Sequence, residues 1–147
     1  MKPPAWRRTR TPYPHACSIQ TRYTDEDRLG HINNIAVAAY YDEARSLFSR
    51  AVFDAAGRDE FTRIVTADSR VTYLAEVFYQ DQLEVLTGIL RIGTASYDLG
   101  QGLFRGEQCV GLCSTTFVQA TPEGSSPLSP ALRAVLEAML IHPPEEG

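Results

Sequence analysis

Ten consecutive residues gather most of the reactive chemistry of this chain: Asp25, Glu26, Asp27, Arg28, Leu29, Gly30, His31, Ile32, Asn33 and Asn34. Their composition is that of a loop, and Asn33 or Asn34 is suited to cap a following helix. A carboxylate held between a buried strand and a buried helix can be partly desolvated and act as a base or nucleophile. The unpaired N–H groups of a first helical turn can stabilise an oxyanion. Acyl transfer requires both elements.

Reactive residues elsewhere have plainer explanations. Cys109 and Cys113 lie four apart on an expected strand and so share a face, but two thiols and three scattered histidines do not assemble a zinc site. Cys17 alternates with apolar neighbours and no base accompanies it, so the thiols read as packing residues. Asp25 reads as a loop aspartate bonding its own backbone. Glu43 reads as a helix carboxylate satisfied by backbone or by an arginine.

The loop must be positioned by what flanks it. Residues 16–24 place Cys17, Ile19, Thr21 and Tyr23 on one side and Ser18, Gln20, Arg22 and Thr24 on the other, which predicts a strand with one buried face. From residue 35 to about 55 no proline or glycine interrupts the chain, and Ala36, Tyr40, Ala44, Leu47, Phe48 and Ala51 recur at helical spacing. The first half of this helix, residues 35–41, is apolar all round, so its N-terminal turns are expected to be enclosed on most sides. Strand-like stretches follow at 61–76, 82–92, 95–104 and 108–120, as an antiparallel meander. Leu83, Val85 and Ile89 alternate with Leu86, Leu90 and Ile92, so both faces of that strand are apolar and both must be covered. A loop at 121–129 leads to a short amphipathic helix at 130–140. This order specifies an α+β fold: an antiparallel sheet wrapped around one long central helix, with a short C-terminal helix. Pairing between subunits would hide the second apolar face, so a homo-dimer or tetramer is expected.

At 147 residues the chain matches one domain, read as a flexible basic arm (1–14), a folded body (15–141) and a polar tail (142–147). No apolar run approaches the roughly 18 to 20 residues of a membrane span, and the first fourteen residues hold no signal-peptide core. An odd count of three cysteines suits reduced thiols, so a cytoplasmic location is expected. The net charge of −4 conceals +4 on the arm, from Lys2, Arg7, Arg8 and Arg10, and hence −8 on the rest. An acidic body lacks the attraction for phosphate that nucleic-acid binding requires.

The pattern Asp25-x-Asp27-x-x-Gly30-His31-Ile32-Asn33-Asn34, followed by Tyr41-Asp42-Glu43-Ala44-Arg45, resembles the 4-hydroxybenzoyl-CoA thioesterase-like family of acyl-CoA thioesterases. Val71-x-Tyr73 with the Asp81-Gln82-Leu83 turn, Arg91-Ile92-Gly93-x-x-Ser96, and the strand from Cys109 to Val118 resemble the same family in the same order. The resemblance covers roughly residues 19–140. It implies the hot-dog fold and hydrolysis of the thioester of a small or medium acyl-CoA, aromatic acyl groups included. By position it implies Asp27 as the catalytic carboxylate, attacking the thioester or activating the water that does. It implies Asn34 as donor of an oxyanion-hole N–H and Gly30 as the residue that permits the tight loop. His31 belongs to the motif, with a direct role and a structural one both open to it. Tyr23, Asn33 and Ser96 are expected to bind substrate. No cofactor is implied, because coenzyme A is part of the substrate and product.

The chain also departs from the family. Where some members grip the nucleotide phosphates just before the serine matching Ser96, it holds Gly93, Thr94 and Ala95. Arg91, Arg63, Arg70 and Arg105 are unassigned substitutes, and an acyl-carrier-protein thioester is an alternative substrate. Another branch of hot-dog thioesterases uses a helix glutamate, which makes Glu43 the competing carboxylate. A non-catalytic acyl-thioester-binding protein is the competing class; a dehydratase would need a histidine base facing a carboxylate of the other subunit, and the loop resembles that group less.

Overall fold

The expected alternation becomes an antiparallel sheet in the computed structural model, which describes residues 3–57 and 62–144. Its strands are β1 (His15–Gln20), β2 (Arg63–Tyr73), β3 (Gln82–Ile92), β4 (Ser96–Arg105), β5 (Gln108–Thr121) and β6 (Gly124–Ser125). They lie in the order β1-β3-β4-β5-β2, with β6 paired to β5. The helix α1 (Asn34–Ala56) lies across one face, and α2 (Pro130–Ala138) packs beside its C-terminal half. Among the described residues no helix is long and apolar enough to cross a membrane.

One core lies between α1 and the sheet. Val37, Tyr41 and Ala44 meet Ile19, Leu83, Val85 and Leu103, while Phe48 and Val52 meet Ile89, Leu99, Phe117 and α2. Each large side chain so enclosed contributes about 1.5–3 kcal/mol. The N-terminal turns of α1 are not enclosed on most sides. Ala36, Val37, Tyr40 and Tyr41 are buried, but Ile35 is 83% exposed, and Ala38 and Ala39 are exposed with it. A single sheet covers one side of a helix, and among the described residues nothing lies over Ile35, Ala38 and Ala39 on the other.

The second apolar face of the sheet is covered by the chain itself, not by a second subunit. Tyr13 and Ile141 close over Leu86 and Phe104, with Trp6, Leu90 and Cys109 alongside. The segment expected to be a flexible arm is therefore docked. Arg7, in a 3₁₀ turn at Ala5–Arg8, is 7% exposed. Its guanidinium donates to the Tyr13 hydroxyl (3.3 Å), the Ser114 hydroxyl (3.1 Å) and the carbonyls of Gln101 (3.4 Å) and Cys113 (3.2 Å). Composition registers the charge of Arg7 but not acceptors about a hundred residues away. The tail joins in: Ile89 N–H donates to the Met139 carbonyl (2.9 Å) and Ile141 N–H to the Ile89 carbonyl (2.8 Å), alongside β3 where β1 has ended. The polar tail expected at 142–147 is described only to residue 144.

Of the three bulges in the sheet, one of them in β2 between Thr66 and Asp68, two change which of the expected residues share a face. Pairing passes from Ile89↔Leu99 to Arg91↔Asp98, so Leu90 is extra and Ile92 joins the helix-side core rather than the face of Leu86. Pairing likewise passes from Leu103↔Gly111 to Phe104↔Cys109, so Val110 is extra. Cys109 consequently packs under the arm while Cys113 faces α1, against the expectation that the two thiols share a face. The strand expected at 61–76 is observed as β2 and ends at Tyr73, where the N–H groups of Leu74 and Ala75 both turn to the Val110 carbonyl (3.0 and 3.1 Å). Phe61 lies outside the described residues.

Candidate active site

The reactive loop is anchored at both ends. At its start the chain leaves β1 at Gln20 and forms a 3₁₀ turn, Tyr23–Asp25. The buried Asp25 carboxylate accepts from the Tyr40 hydroxyl (2.6 Å), the Arg22 N–H (3.1 Å) and the Arg22 guanidinium (3.4 Å). Burial pushes the Asp25 carboxyl up, but those donors outweigh it and hold it below its ordinary value. At the far end Asn33 N–H donates to the Asp25 carbonyl (2.9 Å) and Ile32 N–H to the Val77 carbonyl (2.7 Å).

Between the anchors the loop closes on Asp27. Asp27 N–H donates to the His31 carbonyl (2.8 Å) and Gly30 N–H to the Asp27 carbonyl (3.2 Å), with Gly30 at φ +82°. Only glycine adopts that backbone at low cost. Asp27 Oδ1 accepts the N–H groups of Leu29 (2.9 Å) and His31 (3.2 Å). Both bonds fall on one oxygen, Oδ1.

Asn33 caps α1, its Oδ1 accepting Ala36 N–H at 2.7 Å. Asn34 then opens the helix, ahead of the first intrahelical bond from Val37 N–H to the Asn33 carbonyl (3.1 Å). First-turn N–H groups have no partner within the helix and carry its positive dipole end. Asp27, His31 and Asn34 line one cleft of about 430 Å³, walled by Val37, Leu103 and Val110. His31 is fixed in the wall, with Nε2 3.4 Å from Glu76 Oε2 and its ring edge-on to Phe78.

Of the residues singled out in the sequence, the fold thus brings Asp27, His31 and Asn34 together and uses Gly30 to shape their loop. Asn33 serves the helix cap with its side chain. Tyr23 lies outside the cleft, 72% exposed with its ring 5.9 Å from that of Tyr79, because β1 ends before its alternation reaches residue 23. Ser96 also lies outside, at the start of β4, its hydroxyl accepting from Arg91 (3.1 Å). Arg91 is itself paired with Asp98 (2.9 Å), and Arg105 with Asp81 (2.7 Å). Glu43 is exposed on α1 and faces a separate groove with Ser18 and Ala39. Sequence reasoning did not identify Glu76, Val77, Val110 and Gly111 as cleft walls, since nothing local marks a residue that reaches the loop through sheet pairing. Among the described residues no cluster of three histidine, cysteine, aspartate or glutamate side chains is arranged to hold a metal ion.

Comparison with known proteins agrees with this architecture. An uncharacterized protein of Bacillus subtilis, YsmA, is 25% identical over 114 residues, 76% of each chain. The PA5185 protein of Pseudomonas aeruginosa superposes with a TM-score of 0.78 at 22% identity, covering 90% of this chain and 96% of that one. A thioesterase of Thermus thermophilus, solved with coenzyme A and zinc, superposes with a TM-score of 0.76 at 22% identity, covering 88% and 96%. These likenesses establish the hot-dog fold. The family model of the thioesterase-like superfamily matches residues 21–136, from the Asp27 loop through α1 and the sheet into α2, and the chain belongs to that superfamily.

Proposed function

We propose that the protein hydrolyses the thioester of a small or medium acyl-CoA, with Asp27 as the reacting carboxylate. The observation that carries this reading is the pairing, in one cleft, of a carboxylate fixed through a single oxygen with the first turn of α1, whose leading N–H groups have no partner within the helix. The thioester carbonyl oxygen faces the Asn34 N–H, where developing negative charge is stabilised. Asp27 Oδ2 takes a proton from a water whose oxygen bonds to the carbonyl carbon. Collapse of the tetrahedral intermediate breaks the C–S bond, and the proton passes to the leaving sulfur, giving the carboxylic acid and the free thiol of coenzyme A. The alternative is direct attack by Oδ2, which breaks the C–S bond, expels the coenzyme A thiolate and forms an acyl anhydride; water then cleaves the anhydride to the free acid and the Asp27 carboxylate, and its remaining proton goes to the thiolate. In either route His31, held by Glu76, positions the loop.

The relative from Thermus thermophilus that was solved with coenzyme A supports that carrier over an acyl-carrier protein. In one chain Tyr23 and Ser96 stand apart from the cleft, so any contact they make with substrate is assigned to a second subunit. A homo-oligomer is supported by two surfaces: β2, eleven residues long, lies at the edge of the sheet, and Leu29 and Tyr73 beside the cleft are 78% and 49% exposed. The test is a panel of acyl-CoAs incubated with the purified protein and a thiol reagent. Thiol release by the wild type that is lost in Asp27→Asn is expected; release by neither protein from any acyl-CoA refutes the reading.

A further inference from the structure

The cleft that holds Asp27 carries charge of one sign. Among the residues that line it, Asp27 and Glu76 bring carboxylates and no lysine or arginine joins them. His31 is the one lining group able to become a cation, and its Nε2 is already turned to Glu76 Oε2 at 3.4 Å. Arg105 reaches the same segment, but its guanidinium goes to the Asp81 carboxylate (2.7 Å), the Gln108 side chain (3.0 Å) and the Glu76 carbonyl (3.2 Å). Arg28 follows Asp27 in the chain but is not part of the lining. The rest of the wall is mostly apolar: Ile32, Val37, Leu103 and Val110 are each no more than 5% exposed, and the open side chains of Leu29 and Tyr73 belong to the same lining. A carboxylate carried into this cleft on an acyl chain loses water to apolar walls and meets two like charges without a partner. A hydrocarbon chain in the same place gains from the apolar surface it covers.

Resting on the thioesterase reading, we propose that the cleft selects by charge: it takes uncharged acyl groups and excludes those that end in a carboxylate, with Glu76 as a specificity residue that repels the acid. The substrate class is then the thioester of a monocarboxylic acid, not the half-thioester of a dicarboxylic one. The larger share of the discrimination comes from the apolar wall and the missing cation. The Glu76 side chain is 64% exposed and acts partly through water, so its own share is smaller.

The test uses acyl-CoA pairs of equal carbon number, valeryl against glutaryl and hexanoyl against adipoyl, with uncatalysed hydrolysis subtracted. For the wild type, kcat/KM of the neutral member is expected to exceed that of the acid by about a hundredfold or more. The monomethyl ester of adipoyl-CoA keeps the added oxygens without the charge and is expected to stay within about tenfold of hexanoyl-CoA. Glu76→Gln should shrink the neutral-to-acid ratio by about two- to fivefold, and Glu76→Lys, which supplies the cation the wall lacks, should shrink it further. Both members of a pair are measured on the same variant, so turnover lost through a disturbed His31 cancels in the ratio. A wild type that accepts the acid as well as its neutral partner, an ester rejected like the acid, or a ratio unmoved in Glu76→Lys overturns the proposal. If no thioester is turned over, the thioesterase reading fails by itself. Thermal unfolding then decides the charge inference: hexanoyl-CoA should raise the unfolding temperature of the wild type more than adipoyl-CoA does, and that difference should shrink in Glu76→Lys.

Discussion

At the scale of single residues, the loop separates two aspartates with different tasks. Asp27 lines the cleft and takes both of its loop bonds on one oxygen, whereas Asp25 is buried and spends its oxygens on Tyr40 and Arg22. Replacing Asp27 by asparagine keeps the shape and the Oδ1 acceptor but removes both base and nucleophile. Turnover is expected to fall by roughly 10² to 10⁴ with folding intact. Glu43→Gln is expected to be at most moderately impaired, since Glu43 faces another groove; a dead Glu43→Gln beside an active Asp27→Asn would move the chemistry to the helix. Asp25 speaks through stability. A carboxylate held below its unfolded value stabilises the fold above the ordinary carboxylate range, and that contribution is lost as pH falls through its lowered value. Denaturant melts should therefore show wild-type stability declining below about pH 4, with a shallower decline in Asp25→Asn. Some slope remains in the variant because Asp98, which burial raises but Arg91 and Thr116 lower further, titrates in the same direction.

At the scale of elements, α1 orients the site by where it starts. The Asn33 side chain ends the loop and begins the helix in one bond to Ala36, leaving Asn34, the first helical residue, at the cleft. Asn33→Ala is expected to cost about 1 kcal/mol of stability by loss of the cap. Because the first turn then frays, kcat should fall more than KM rises; an unchanged kcat in a destabilised protein would show that the first turn takes no part in the chemistry. The bulge at Val110 matters for the same reason. The extra Val110 lets its carbonyl gather both Leu74 and Ala75, which turns β2 away from the ladder and builds the cleft wall opposite Asp27.

At the scale of the whole molecule, the outer face of the sheet and the site face are covered differently. The arm closes the outer face, and Arg7 fastens it to neutral acceptors that would otherwise be left buried. Arg7→Ala is expected to destabilise the protein by about 1–3 kcal/mol in chemical unfolding. A variant as stable as wild type would mean that the arm is free in solution. On the site side the edge of β2 and the side chains beside the cleft remain open. Light scattering at micromolar concentration should give at least twice the mass of one chain, and a fully active monomer would exclude a site completed by a second subunit.

Much of this was legible in the sequence because it is local. Alternation placed β3 to the residue, uninterrupted helical spacing placed α1 within a residue or so, and the run from Asp25 to Asn34 marked the loop because turn chemistry, capping and carboxylates coincide there. What only tertiary structure decided depends on partners far apart in the chain. The outer face of β3 is apolar for the sake of Tyr13 and Ile141, not of a second subunit, and Arg7 is bound rather than free for the sake of residues 101, 113 and 114. Side-chain period alone cannot reveal a bulge, since one extra residue is invisible until the opposing strand fixes the register; hence Cys109 and Cys113 part to opposite faces and Ile92 changes sides. The same holds for Tyr41, whose type is ordinary on a helix and whose buried hydroxyl fits against the sheet because residue 111 is a glycine.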